Sequence, residues 1–204
     1  SGGATLDKDG LPRTDRAVSG ARYRPGMSEA YTTLWTSDLC TALIRGGFEG
    51  ERLSVLFGGP HQSLPSFVRA GVKPGDRVYP IRVFRKRMWV LGSMEVARLL
   101  EYDSVGDHLA MEDYLRLVHW KPLKTSCVTE VVVGPPGSPL NFDTPVPGDV
   151  LTQLTYRCRR SERRIKHVVD GELLRAVSVH GIYRLAPESA SALDALVSGQ
   201  RVGT

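Results

Sequence analysis

One stretch restricts the folding of this chain more than any other: residues 74–96 read PGDRVYPIRVFRKRMWVLGSMEV. Pro74-Gly75-Asp76 has the composition of a tight turn. A run of β-branched and aromatic residues follows over 78–84, then the basic triplet Arg85-Lys86-Arg87, then a second such run over 88–96. Two strands joined by so short a link have to pair antiparallel, because a parallel return needs a dozen or more connecting residues. The predicted unit is a hairpin or meander. Pro80 falls inside the first run and lacks the N–H that a ladder requires, which predicts a sheet edge or a bulge there.

The remaining segments extend this pattern. Residues 31–35 (YTTLW) and 53–57 read as strands, and 127–133 as another with three consecutive valines. Thr36, Ser37 and Asp38 offer N-caps to a helix that ends at Gly46-Gly47. Residues 64–70 suit a short helix, and 106–118 space Leu109, Tyr114, Leu117 and Val118 helically. The Pro- and Gly-rich stretch 134–148 predicts a loop, and 149–160 carries both a helical and a strand pattern. Asp170-Gly171 between two apolar runs is a strong hairpin signal, and 187–197 reads as a closing helix. Consecutive strands joined by hairpins rather than by regular crossover helices predict an α+β fold, a mixed and mostly antiparallel β-barrel with peripheral helices. Residues 28–204 are expected to form this single domain. Residues 1–27 lack apolar periodicity and read as a flexible arm, its SGG start resembling a tag scar.

Composition enters through charge. The chain has 204 residues and a formal charge of +5, and that excess is concentrated. Between Tyr156 and His167, in YRCRRSERRIKH, stand Arg157, Arg159, Arg160, Arg163, Arg164 and Lys166 against the lone Glu162. Those six cations and one carboxylate equal the net charge of the whole chain. A smaller cluster holds Arg82, Arg85, Lys86 and Arg87. Clustered arginine beside aromatic residues suits phosphate and base edges, so RNA or DNA is the expected partner. No apolar run reaches the ~18–20 residues that span a bilayer, so no membrane partner is expected. The three cysteines, Cys40, Cys127 and Cys158, show neither a disulfide framework nor zinc-ligand spacing, and the expected compartment is the cytoplasm. No phosphate-binding loop, dinucleotide fingerprint, zinc-protease motif or nucleophile elbow is present, and the five histidines are scattered. The residues therefore imply neither a metal nor an organic cofactor.

The stretch 74–96, with its Gly-Asp turn, basic turn and central Val-Leu-Gly, resembles the PUA-like superfamily, which includes the ASCH, EVE and YTH branches. The layout of 31–197 is similar in order. The resemblance implies a pseudobarrel that binds nucleic acid, in several branches by taking a modified or flipped base into a pocket beside the first helix. Under that reading Trp35, Phe57, Trp120 and Tyr156 are candidate pocket walls, and Thr36, Ser37 and Asp38 candidate polar contacts. Phosphates would meet Arg82, Arg85, Arg87 and the 157–166 cluster. The ASCH branch also contains ribonuclease-like enzymes and nucleoside amidohydrolases with a Gly-x-Lys-x-x-Glu-x-Arg pattern. Here the stretch reads Gly46-Gly47-Phe48-Glu49-Gly50-Glu51-Arg52, which retains Glu51 as a candidate acid/base and lacks the lysine. A module that binds an acidic protein partner is the third reading of the same arginines.

Overall fold

The structure, a computed structural model, describes residues 28–124, 127–159 and 161–199. The expectations for the 1–27 arm and for Arg160 lie outside those residues.

In chain order the elements are β1 (Ala30–Leu34), α1 (Ser37–Arg45), β2 (Val55–Gly58), α2 (Phe67–Ala70), β3 (Arg77–Phe84), β4 (Arg87–Val90), β5 (Met94–Glu95) and β6 (Arg98–Glu101). There follow α3 (Val105–His108), α4 (Met111–His119), β7 (Glu130–Val133), α5 (Gly148–Gln153), β8 (Thr155–Arg157), β9 (Glu162–Arg164), β10 (Val168–Val169), β11 (Glu172–Leu173), β12 (Ile182–Arg184) and α6 (Pro187–Gly199). The fold is mixed α+β with mainly antiparallel pairing. Its principal sheet has the order β12-β1-β3-β4, with β5 also on β3, and a second sheet runs β2-β7-β6. Hydrogen bonding does not close a ring of strands among the described residues.

The principal sheet lies between two cores. On one side Tyr31, Val78 and Met94 join Val131, Val132, Leu56 and Trp120 in the larger cluster, between this sheet and β2-β7-β6. On the other, Tyr79, Ile81, Met88 and Val90 join Leu151, Tyr156, Ile165, Leu185 and Leu193. Val78 and Tyr79 thus face opposite cores, as adjacent strand residues must. Burial on both faces explains why residues 78–81 of β3 and 131–133 of β7 read as unbroken apolar runs rather than as alternating ones.

Pro80 does not sit on an edge. It lies in β3 between β1, with Thr33 opposite, and the divided partner on the other side. Ile81–Phe84 pair with β4, whereas Arg77 and Val78 pair with β5. The predicted single strand over 88–96 is broken at Leu91-Gly92-Ser93, opposite the residue that has no N–H to give; Leu91 donates instead to the Pro80 carbonyl at 2.9 Å.

The two hairpin signals hold. Arg85 and Lys86 both take positive φ, 48° and 59°, and Asp170 and Gly171 take 50° and 76°, the twist that a two-residue hairpin turn requires. At the second turn glycine meets a further demand. A Cβ on Gly171 would come within 2.7 Å of the Gly148 Cα, because the turn packs directly onto the start of α5. The ambiguity over 149–160 resolves into both elements in succession, α5 and then β8.

Candidate nucleic-acid interface

The basic segment folds as a hairpin. β8 and β9 pair antiparallel with Thr155 opposite Arg164, Tyr156 opposite Arg163 and Arg157 opposite Glu162. Two apolar anchors hold it to the second core: Tyr156 is 2% exposed and Ile165 is 6% exposed. Thr32 Oγ1 in β1 donates to the Tyr156 hydroxyl at 3.1 Å inside the protein. Burial keeps that phenol protonated by raising its pKa. With Tyr156 directed inward, Arg157, Arg159, Arg163, Arg164 and Lys166 are left exposed.

Beside the hairpin is a cavity of about 280 Å³, lined by Tyr156 and Tyr183, by Arg163, Arg164, Lys166 and His167, and by the turn at Val177 and Ser178. None of its lining residues is acidic. Tyr183 stacks on Tyr156 with ring centres 4.9 Å apart and planes at 26°, and the Arg163 guanidinium lies 5.8 Å from the Tyr183 ring centre. Among the described residues Arg159, Arg163 and Lys166 make no ion pair. Arg164 bonds the neutral Gln153 at 3.0 Å, while Arg157 faces Glu29 at 3.7 Å.

The second basic cluster converges on the first through the β10–β11 hairpin. Leu173 donates its amide to the Lys86 carbonyl at 2.7 Å, and the next residue, Leu174, donates to the His167 carbonyl at 2.9 Å. Consecutive residues therefore tie the turn holding Arg85 and Arg87 to the rim of the cavity. The half-exposed Phe84 lies under Arg85, whose guanidinium is 5.1 Å from its ring centre. Arg82 belongs elsewhere. Its guanidinium donates to the Phe142 carbonyl at 2.6 Å and lies 5.0 Å from the Trp89 ring centre, with Nε buried and unpartnered.

The residues expected beside the first helix are only partly assembled. Trp35, Thr36 and Phe57 do line a common crevice, of about 30 Å³, which has room for water rather than for a base. Thr36 is the N-cap of α1, its hydroxyl accepting from the Leu39 amide at 3.3 Å; Ser37 and Asp38 are exposed on the first turn. Trp120 lies outside this crevice, 2% exposed and packed against Phe48 with ring centres 5.2 Å apart.

Glu51 opens onto a separate, wide cleft of about 630 Å³ with Arg52, Arg116 and His119. Its Oε2 is 3.4 Å from His119 Nε2. Arg116 is already engaged by Glu112 at 2.7 Å.

Sequence reasoning did not single out Tyr183, His167 or Ser178. His167 was visible as the end of the basic run, but Tyr183 and Ser178 reach the cavity only through the pairing of β12 with β1 and the turn before it. No protein-family model matches the chain, and no curated protein matches it. A solved structure described as a hypothetical protein from Leishmania major is similar over 86% of this chain and 98% of its own, at 12% identity and a TM-score of 0.40. Among the described residues no group of side chains is arranged to hold a metal ion, and no helix is long and apolar enough to cross a membrane.

Proposed function

We propose that this protein binds RNA or DNA as a PUA-like module, with the β8–β9 hairpin and the turn at Arg85-Lys86-Arg87 forming one basic face along the phosphate backbone. In this reading the two larger sheets enclosing the first core are the halves of a pseudobarrel. The observation that carries the reading is the cationic cavity, concave and free of acidic lining residues, joined to the second cluster by two consecutive backbone hydrogen bonds. Solvated arginines that serve only solubility would be expected to be dispersed and interspersed with carboxylates. Arg82, turned into an aromatic cage, is not part of this face.

The test is a salt titration of binding to a labelled single strand, read by fluorescence anisotropy. Arg85, Arg87, Arg159, Arg163 and Lys166 have no carboxylate partner among the described residues. If about five phosphates are neutralised, log Kd varies with log salt at a slope of about 3.5, and affinity falls about a hundredfold between about 50 and 200 mM. Arg159→Ala with Arg163→Ala should lower that slope by about 1.4. Affinity and slope unchanged by both substitutions would remove the hairpin from the account.

A second reading, an ASCH-type hydrolase, draws on the approach of Glu51 to His119 in an open cleft, a carboxylate and an imidazole suited to acid/base work. Turnover of RNA or of an acylated nucleoside that Glu51→Gln abolishes would raise it above the first; inactivity on that panel would dismiss it.

A further inference from the structure

Resting on the binding reading above, the geometry points to a specific task for the cavity: we infer that it receives a phosphate monoester at the end of a nucleic-acid strand, so that the protein is an end-binder. Size is the first reason. At about 280 Å³ the cavity lies just under the ~300 Å³ at which pockets for small organic ligands begin, enough for one phosphorylated unit and too little for a strand to pass through. Its walls come from four separate stretches of chain, β8, β9 with the segment that follows it, the Val177–Ser178 turn and β12, whereas a strand in transit needs an open groove.

Charge is the second reason. An internal phosphodiester carries one negative charge, and a terminal monoester about 1.5 to 2 at neutral pH with three acceptor oxygens. Arg163, Arg164 and Lys166 line the cavity without a carboxylate among them, and forked guanidinium donors fit several oxygens at once. Three cations around a small volume suit the doubly charged group. The third reason is what the cavity lacks for a base. The Tyr183 ring is engaged by Tyr156 at 4.9 Å and by Arg163 at 5.8 Å, so the aromatic surface that would stack a nucleobase is already covered. The nearby turn at Arg85 and Arg87 would then hold the next phosphates of the strand.

The experiment compares one labelled oligonucleotide bearing a 5′-phosphate, a 3′-phosphate or hydroxyls at both ends, with adenosine monophosphate and inorganic phosphate as competitors. The expected result is that one phosphorylated end binds about tenfold tighter than the hydroxyl-ended strand, the worth of one or two charge-assisted hydrogen bonds. Arg163→Ala with Lys166→Gln should erase that preference. Arg85→Ala with Arg87→Ala should weaken all three strands alike and keep it. Equal, salt-sensitive affinity for all three strands overturns the end-binding inference and leaves the binding reading standing, as does a preference that survives the Arg163 and Lys166 changes. Binding of the mononucleotide with no affinity for any strand overturns both.

Discussion

Gly171→Ala tests the part of the structure on which the composite basic face depends. Gly171 sits at φ +76°, where an L side chain costs roughly 1–2 kcal/mol. Its added Cβ would also meet the Gly148 Cα at 2.7 Å and the Gly148 carbonyl carbon at 3.1 Å, backbone atoms that cannot swing aside as a side-chain tip would. Crowding of that kind adds about 1–3 kcal/mol, so the variant should be less stable by about 2–5 kcal/mol. Denaturant unfolding followed by fluorescence gives the free energy. Asp170→Gly is the control: the neighbouring residue, at φ +50°, gains an unstrained turn and should stay within about 0.5 kcal/mol of wild type or exceed it. The loss has a functional side, because the same hairpin holds Lys86 and His167 through Leu173 and Leu174. Gly171→Ala should therefore also weaken strand binding although it removes no charge. A Gly171→Ala protein within about 0.5 kcal/mol of wild type would refute the close-approach reasoning.

Trp120→Ala should cost about 3–5 kcal/mol in unfolding measurements, as for a fully buried core aromatic, whereas a Trp120 that served as a base platform would leave stability intact and abolish binding. Burial pushes the Cys40 thiol up to about 11 and, helped by Asp194, the Tyr79 phenol up to about 12. Both groups are held neutral in the folded state, so their contribution is complete below the unfolded values near 9 and 10 and drains away as pH rises through 11 to 12; thermal midpoints should be flat up to about pH 9 and fall beyond it. A thiol reagent on the native protein should modify the exposed Cys127 and the half-buried Cys158 quickly and Cys40 only on unfolding, which mass spectrometry after a short exposure would resolve. Asp194→Asn should weaken the tie between α6 and β3, formed by Arg77 at 2.7 Å and Tyr79 at 3.3 Å, by only about 1 kcal/mol because the ion pair is half exposed.

Much of the local structure was legible because it is decided locally. The capped helix after Thr36, both positive-φ hairpin turns and the closing helix follow from residue types whose preferences act within a few positions. Even the pairing of Trp35 with Phe57 in one crevice was foreseeable; its small volume was not, since that depends on how Leu39, Leu64 and Leu123 fill it. The basic segment was visible as charge and the alternation of Tyr156 with Arg157 as a strand pattern, but nothing local indicated that the Tyr156 partner would be Thr32, 124 positions away. Nor did periodicity indicate that two arginine clusters separated by some seventy residues would meet at Leu173 and Leu174. Meetings of that kind are set by topology, and no local preference encodes them.

The pairing of β1 with both β3 and β12 has a consequence for how the protein comes into being. Ala30 accepts from Leu185, and Tyr31 lies opposite Arg184, so the first strand of the described fold waits for one of the last. Contacts of such long sequence separation slow folding, because the intervening chain must be closed into a loop before any bond rewards it. On the ribosome, β1 and β3 can pair early, but the sheet edge beside β1 stays open until residue 184 has emerged. Tyr156 and Tyr183 cannot stack before that moment. Until then the arginine hairpin is tied to β1 through Thr32 and Tyr156, and its seat is completed only when β12 takes its place on the sheet edge.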